Sequence, residues 1–310
     1  MKRSAIIDLG TNTFNLLIIE FTDSGYHILY KNKIPVKLGE GGIEKGILTS
    51  LAIERGMSAL KEHLNTIAEF QCKNVHAFAT SGIRSAKNGT AFTAQAKKEL
   101  NLDIKIISGH KEAELIYFGV REALTIGEKS LIIDIGGGST EFIIADDKKI
   151  FWKESFQLGA ARLLEKFQPS DPINLSQIYS LHDHFHNKLK PLKEAVFDHP
   201  INCMIGSSGS FDTFADLLAH QYGKPDLLMG RSTYDFELKD YLELHQLLLK
   251  SNKSTRSKMP GMLLMRVDMI VIASILTEWT ISNLEINQLR LSTYSLKEGV
   301  IKTLKDHSGK

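Results

Sequence analysis

Apolar residues along this chain recur with two periods. Short apolar runs at residues 5–8, 15–21, 26–30, 75–79, 103–107, 130–134, 140–145, 149–156, 201–205 and 288–291 have the length of strands. Between them, residues 51–70 place Ile53, Met57, Leu60, Leu64 and Ile67 at three- and four-residue spacing, the stripe of a helix with one buried face. Further helices are predicted at 85–100, 111–123, 160–167, 175–196, after Ser210, at 237–250 and 266–282, and from Leu296 onward. The order is three strands, helix, strand, helix, strand, and then the same again. It predicts an α/β protein of two mixed sheets with helices on their faces.

The two halves also match at a finer grain. An apolar run leads into Asp8, Leu9, Gly10, Thr11, Asn12 and Thr13 and resumes as a second run; likewise Asp134, Ile135, Gly136, Gly137, Gly138, Ser139, Thr140 and Glu141 stand between two runs. Asp134 lies 126 residues after Asp8 (134 less 8), a period that fits a duplicated domain and not a solenoid. Two such strand–turn–strand units predict two similar domains facing each other across a cleft of nucleotide or phosphate size. The glycines let a ligand approach the backbone amides closely. Asp134 before them and Glu141 after them add carboxylates beside an anion pocket, the setting in which a divalent cation bridges protein and phosphate. Three more polar turns follow strands: Ser81 to Arg84, Gly206-Ser207-Ser208-Gly209-Ser210, and Ser292 to Lys297. Several of these precede helices, whose N-termini favour anions.

Composition narrows the class. The 310 residues leave room for two domains, and 43% hydrophobic with 24% charged residues is the balance of a soluble globular protein. A net charge of +2 speaks against a broad face for duplex nucleic acid. Cys72 and Cys203, far apart and outside any CxxC, read as reduced thiols. The N-terminal apolar run is cut by Asp8, and the most apolar later stretch, 267–276, contains Asp268 and is too short to span a bilayer. These features predict a cytoplasmic protein without a membrane partner. His182, His184 and His186 are two apart on a predicted helix and share no face, so they make no metal site.

Eight motifs then follow one another in order: Asp-Leu-Gly-Thr-Asn-Thr at 8–13, Ala-Thr-Ser-Gly-Ile-Arg at 79–84, Ile-Ser-Gly-His-Lys-Glu-Ala at 107–113 and Asp-Ile-Gly-Gly-Gly-Ser-Thr-Glu at 134–141, then Leu-Gly-Ala-Ala-Arg-Leu at 158–163, Ile-Gly-Ser-Ser-Gly at 205–209, Pro260-Gly-Met with Arg266-Val-Asp268, and Leu-Lys-Glu-Gly-Val at 296–300. In order and spacing they resemble the consecutive motifs of the exopolyphosphatase/guanosine pentaphosphate phosphatase family, across nearly the whole chain.

The resemblance implies two actin-like (RNase H-like) domains, residues 1–120 with 294–310 and residues 121–293. It implies Mg²⁺, or Mn²⁺ in its place, held by Asp134 and Glu141, and no organic cofactor. Glu112 matches the base that activates the attacking water, and Arg84 the arginine that reaches the phosphate chain. Phosphate binding falls to Asp8, Gly10, Thr11, Asn12, Thr13, Ser81, Gly136, Gly137, Gly138, Ser139, Gly206, Ser207, Ser208, Gly209 and Ser210, with Arg256, Lys258, Arg266 and Lys297 as further basic candidates. The implied activity is release of terminal orthophosphate from inorganic polyphosphate or guanosine pentaphosphate; guanosine tetraphosphate is a further candidate ligand, and a homodimer is left open. A regulator that binds alarmones or nucleotides without turnover is a second class, against which Glu112, Asp134 and Glu141 weigh. A small-molecule kinase is a third, against which the lack of an acceptor-binding insertion weighs. Lys297 stands where the family usually has arginine and loses the bidentate fork. Long family members carry an additional C-terminal helical domain, and this chain is expected to be the two-domain core alone.

Overall fold

A computed structural model describes residues 3–23 and 25–308; Met1, Lys2, Ser24, Gly309 and Lys310, all within the first predicted domain, lie outside the described residues. The first half runs β1 (Arg3–Leu9), β2 (Thr13–Thr22), β3 (Gly25–Pro35), α1 (Ser50–Glu69), β4 (Asn74–Ala79), α2 (Ser81–Arg84), α3 (Gly89–Leu100), β5 (Ile104–Ile106) and α4 (Gly109–Ala123). The second opens with β6 (Ser130–Ile135), β7 (Thr140–Ala145) and β8 (Ile150–Phe156). It continues through α5 (Ala160–Phe167), α6 (Leu175–Lys188), α7 (Lys190–Asp198), β9 (Cys203–Ser207), α8 (Gly209–Gln221), β10 (Thr233–Phe236), α9 (Leu238–Lys250) and α10 (Lys253–Arg256). After a 3₁₀ turn at Leu264–Arg266 come α11 (Ile270–Asn283), β11 (Gln288–Ser292) and α12 (Leu296–Ser308).

The duplication is visible in the sheets. One has the order β3-β2-β1-β4-β5, the other β10-β11-β9-β6-β7-β8. In each, the first strand pairs antiparallel with the second and parallel with the strand that follows the helical crossover. The register repeats as well: Asp8 faces Asn15, and Asp134 faces Glu141. Every residue of β6 and β7 is buried, as expected of central strands covered on both faces, which read as continuous apolar runs.

Each sheet has its own core. A third cluster joins them, with Ile6, Leu17 and Ile19 of the first sheet and Ile132, Ile143 and Ile205 of the second packed with Leu115, Ile116 and Val120 of α4 and Val300 and Ile301 of α12. The crossing of α4 and α12 is close because glycines sit at it. A Cβ on Gly119 would lie 1.9 Å from the Ser295 carbonyl oxygen, and one on Gly299 would lie 1.8 Å from that of Leu115.

Two predicted helices differ, and one strand was not predicted. The helix read over 175–196 is two helices parted at Leu189, because Pro191 falls in the first turn of α7 and cannot donate to a continuous ladder. The helix read from Arg266 begins at Ile270. β10, half-exposed and containing Asp235, is an edge strand antiparallel to β11 that carries too little apolar character to be predicted. Among the described residues no helix is long and apolar enough to cross a membrane, and both cysteines are free thiols.

Candidate active site

The first turns of the two halves, 10–13 and 136–139, meet at the base of a cleft of about 120 Å³. Both turns close the same way: Gly10 N–H donates to the Thr13 carbonyl at 3.1 Å, and Gly136 N–H to that of Ser139 at 3.0 Å. Their carbonyls are drawn off by other backbone and, at Gly138, by one side chain. The Thr11 and Asn12 oxygens accept from the N–H groups of Gly39 (3.2 Å), Val36 and Lys37 (2.9 Å each). The Gly136, Gly137 and Gly138 oxygens accept from Ala160 N–H (2.9 Å), Arg162 N–H (3.0 Å) and Arg162 Nε (2.9 Å). A trans peptide carries its N–H opposite its carbonyl, so the amides of Gly137, Gly138 and Ser139 point the other way, where an anion would be held. Close approach requires glycine here. A Cβ on Gly138 would lie 2.5 Å from Thr11 Oγ1 and 2.8 Å from Ser81 Oγ.

Four carboxylates gather at this base. Glu112 and Asp134 are each 7% exposed and Glu141 only 1%, while Asp8 is half-buried. Glu112 sits in the first turn of α4, whose N-cap Ser108 accepts from Lys111 N–H at 3.2 Å. Its Oε2 accepts from Arg84 Nη1 at 2.7 Å, and the same nitrogen also donates to the Ile107 carbonyl at 3.1 Å. Asp134 Oδ2 accepts from Ser295 Oγ at 2.6 Å and Ser207 Oγ at 3.4 Å. Glu141 Oε1 accepts from Ser139 Oγ and Ser155 Oγ, both at 2.6 Å. Asn15, the repeat equivalent of Glu141, donates to Asp8 Oδ2 at 2.9 Å.

Burial and like charge oppose ionisation of Asp8, Glu112 and Glu141. The Asp8 carboxyl is pushed up to about 6, by burial first and then by Asp134 and Glu298, against Lys297 and Asn15. Glu141 is pushed up to about 7 by burial and by Asp134. Glu112 is held well above the ordinary range by burial and by Glu141, with Arg84 opposing. A cluster of hard oxygen donors that resists its own charge fits a divalent cation. Among the described residues no three His, Cys, Asp or Glu side chains form a metal cage. Asp134 lines the cleft and Glu141 lies out of its wall.

Basic groups line the cleft beside this base: Lys33 on β3, Arg266 before α11 and Lys297 on α12, with Asp212 of α8 among them. Lys33 Nζ is 3.7 Å from Asp212 Oδ2. Burial works against the Lys297 ammonium, yet Glu298, Asp8, Asp212 and Asp134 outweigh it and hold its pKa above the ordinary value. Burial lowers that of Arg266. Five buried polar atoms of the lining residues have no protein partner: Thr11 Oγ1, Asn12 Nδ2, Thr13 Oγ1, Asp212 Oδ1 and Arg266 Nε. Unpaired buried polar groups are costly and rare, and their concentration around one cleft marks it as built for a polar ligand.

The structure brings together in the cleft wall Asp8, Gly10, Thr11, Asn12, Thr13, Ser81, Glu112, Asp134, Gly136, Gly137, Gly138, Ser139, Ser208, Gly209, Arg266 and Lys297. Other candidates stand elsewhere. Arg84 is directed at Glu112 instead of the cleft. Gly206 packs on Phe211, whose ring a Cβ would meet at 2.0 Å. Ser207 bonds Asp134, and Ser210 is buried outside the wall. Arg256, 4% exposed, spends its fork on the Val267 and Ser251 carbonyls and on Asp171, so it braces the 251–267 segment. Lys258 is exposed away from the cleft. Sequence reasoning missed Lys33, Asp212, Asn15 and Ser155, whereas Ser295 falls in the predicted polar turn at 292–297. Only Asn15 carried a signal, since it stands 126 residues before Glu141 (141 less 15).

Two repeated strand–turn–strand units closing on one phosphate-sized, carboxylate-lined cleft define a two-domain protein of the actin-like class. The model of the Ppx/GppA phosphatase family matches residues 17–307, and the chain belongs to that family. It is 31% identical over 304 residues to a Haemophilus influenzae protein provisionally named an exopolyphosphatase, covering 98% of this chain and 92% of that one. A solved exopolyphosphatase from Cytophaga hutchinsonii superposes with a TM-score of 0.96 at 38% identity, covering 99% and 98% of the two chains. The Aquifex aeolicus member of the Ppx/GppA family superposes with a TM-score of 0.80 at 26% identity, over 98% of each chain.

Proposed function

We propose that this chain is a Mg²⁺-dependent phosphohydrolase that releases terminal orthophosphate from inorganic polyphosphate. The observation that carries the reading is the cleft itself, in which unpartnered polar atoms and two backbone turns surround a base of buried and half-buried carboxylates, and among the described residues no aromatic side chain stands in the wall. A nucleoside base usually stacks on aromatic or broad apolar surface, whereas here Ile116, Ile135 and Leu296 stand among charges, hydroxyls and amides that suit a polyanion. The names of the Cytophaga and Haemophilus relatives support the same substrate.

In this reading Asp134, with Glu141 behind it, would hold the cation, and the chemistry a bound cation would supply is charge neutralisation. The amides of Gly137, Gly138 and Ser139, with Thr11, Asn12 and Thr13 opposite, hold the terminal phosphoryl group. Lys33, Arg266 and Lys297 bind the chain behind it. Glu112, steadied by Arg84, accepts the proton of a water placed in line with the breaking P–O bond. Burial and Glu141 raise its pKa above the ordinary carboxylate range, which strengthens it as a proton acceptor once ionised. Phosphoryl transfer asks the protein mainly for position and charge.

The test is orthophosphate release from polyphosphates of several lengths, from guanosine pentaphosphate and from ATP, each with Mg²⁺ and with chelator. Release from polyphosphate that chelation abolishes and Mg²⁺ restores is expected. Release from guanosine pentaphosphate alone would move the activity to that substrate, and tight polyphosphate binding without release would make the chain a sensor.

A further inference from the structure

Of the two buried arginines that the mechanism above does not use, Arg256 braces its own segment and Arg162 touches the phosphate turn. Arg162, on the first turn of α5, is 6% exposed. Its fork makes four contacts: Nε to the Gly138 carbonyl at 2.9 Å, Nη1 to the Ile43 carbonyl at 2.9 Å and to Glu44 Oε1 at 3.5 Å, and Nη2 to Ser85 Oγ at 3.0 Å. Gly138 belongs to the second half of the molecule, and the other three partners belong to the first. Glu165, one turn further along α5, strengthens the same junction by accepting from the N–H groups of Gly41 (3.0 Å) and Glu44 (3.3 Å).

We infer that Arg162 is a positioning residue that sets the direction of the Gly138 peptide and thereby aims the Ser139 N–H at the phosphoryl group. The three carbonyls of the turn are held in sequence by α5, the first two by backbone N–H groups and the third by this side chain alone. Glycine peptides rotate at little cost. Without Nε, the 138–139 peptide is free to turn its carbonyl toward the cleft, replacing a donor for an anion with an acceptor that repels it. The planar guanidinium suits the task because its donors leave in fixed directions, so three of the contacts hold the fork while Nε holds Gly138. A lysine reaches one acceptor at a time and fixes no direction.

This rests on the phosphate-binding reading of the cleft, and the experiment separates the two. Tripolyphosphate binding is measured by calorimetry without Mg²⁺, so that no turnover is required, and KM and kcat for polyphosphate are measured with Mg²⁺. R162K is compared with E165Q, which loosens the same junction but leaves the Gly138 carbonyl alone. R162K is expected to weaken tripolyphosphate binding and raise KM at least tenfold with kcat within threefold, and to speed hydrogen exchange of the Gly136 and Ala160 amides. E165Q is expected to leave binding, KM and exchange within twofold. Equal weakening in E165Q would assign the effect to the junction between halves and overturn the inference, as would an R162K protein with unchanged binding and exchange. Should R162K not fold, R162Q is read in the same way. A wild type that binds tripolyphosphate but releases nothing would sink the proposed activity, while the binding and exchange arms would still judge Arg162.

Discussion

Glu112 is the residue on which the chemistry turns. Glu112→Gln keeps the shape and the contact to Arg84 but cannot take a proton. The expected outcome is a kcat lower by about 10²–10⁴-fold with tripolyphosphate affinity unchanged; a variant keeping more than about a tenth of the rate would remove Glu112 as base. Protonation of the neighbouring carboxylates also couples to stability. Asp8 rises from 3.8 to about 6 and Glu141 from 4.5 to about 7. Between those values the native state holds protons that the unfolded chain has lost, so metal-free protein loses stability as pH rises through that interval. The melting temperature in chelator is expected to fall from about pH 4.5 to about pH 7, and Mg²⁺ or the Asp8→Asn change to flatten the fall. A melting curve that rises over the interval and ignores both changes would contradict this. At this scale the motif residues Asp8, Glu112 and Asp134 were legible because each stands at a fixed offset from a glycine turn or a cap. The partner of Arg84 was not, since it lies 28 residues on in another element. Nor was the bracing role of Arg256, which depends on carbonyls that only the folded segment presents.

At the scale of elements, the crossing of α4 and α12 ties the site together, because α4 carries Glu112 and the first turn of α12 carries Lys297. Gly119→Ala puts a methyl group where the Ser295 carbonyl lies, so α12 must move off. A loss of about 1–3 kcal/mol is expected, as for other overpacked contacts, read as a lower melting temperature together with weaker polyphosphate binding through the displaced Lys297. Unchanged melting would show that α12 shifts without cost. Central strands were readable as short apolar runs and α1 as a one-faced stripe, while the break at Leu189 within 175–196 turned on Pro191 and not on period. The rest was hidden for physical reasons. β10 gains its strand form from pairing with β11, and the close helix crossing depends on the absence of two side chains. The capture of turn carbonyls by 36–39 and by α5 is made almost wholly by backbone, which has no sequence signature.

The whole molecule is two repeats sharing one cleft, and here their turns touch: a Cβ on Gly137 would lie 3.1 Å from Thr11 Cβ. A hinge between the two repeats is expected to close the cleft over a bound phosphate chain, as in other clefts that exclude water. Small-angle scattering is expected to give a smaller radius of gyration with Mg²⁺ and a non-hydrolysable polyphosphate analogue than without, and an unchanged radius would mean a preformed cleft. The central claim, that water attacks the terminal phosphorus in this cleft, is tested most directly by turnover of polyphosphate of defined length in ¹⁸O-water with Mg²⁺. The account predicts one ¹⁸O in each released orthophosphate and none in the shortened chain. Label in the remaining chain, or no orthophosphate at all, would contradict it.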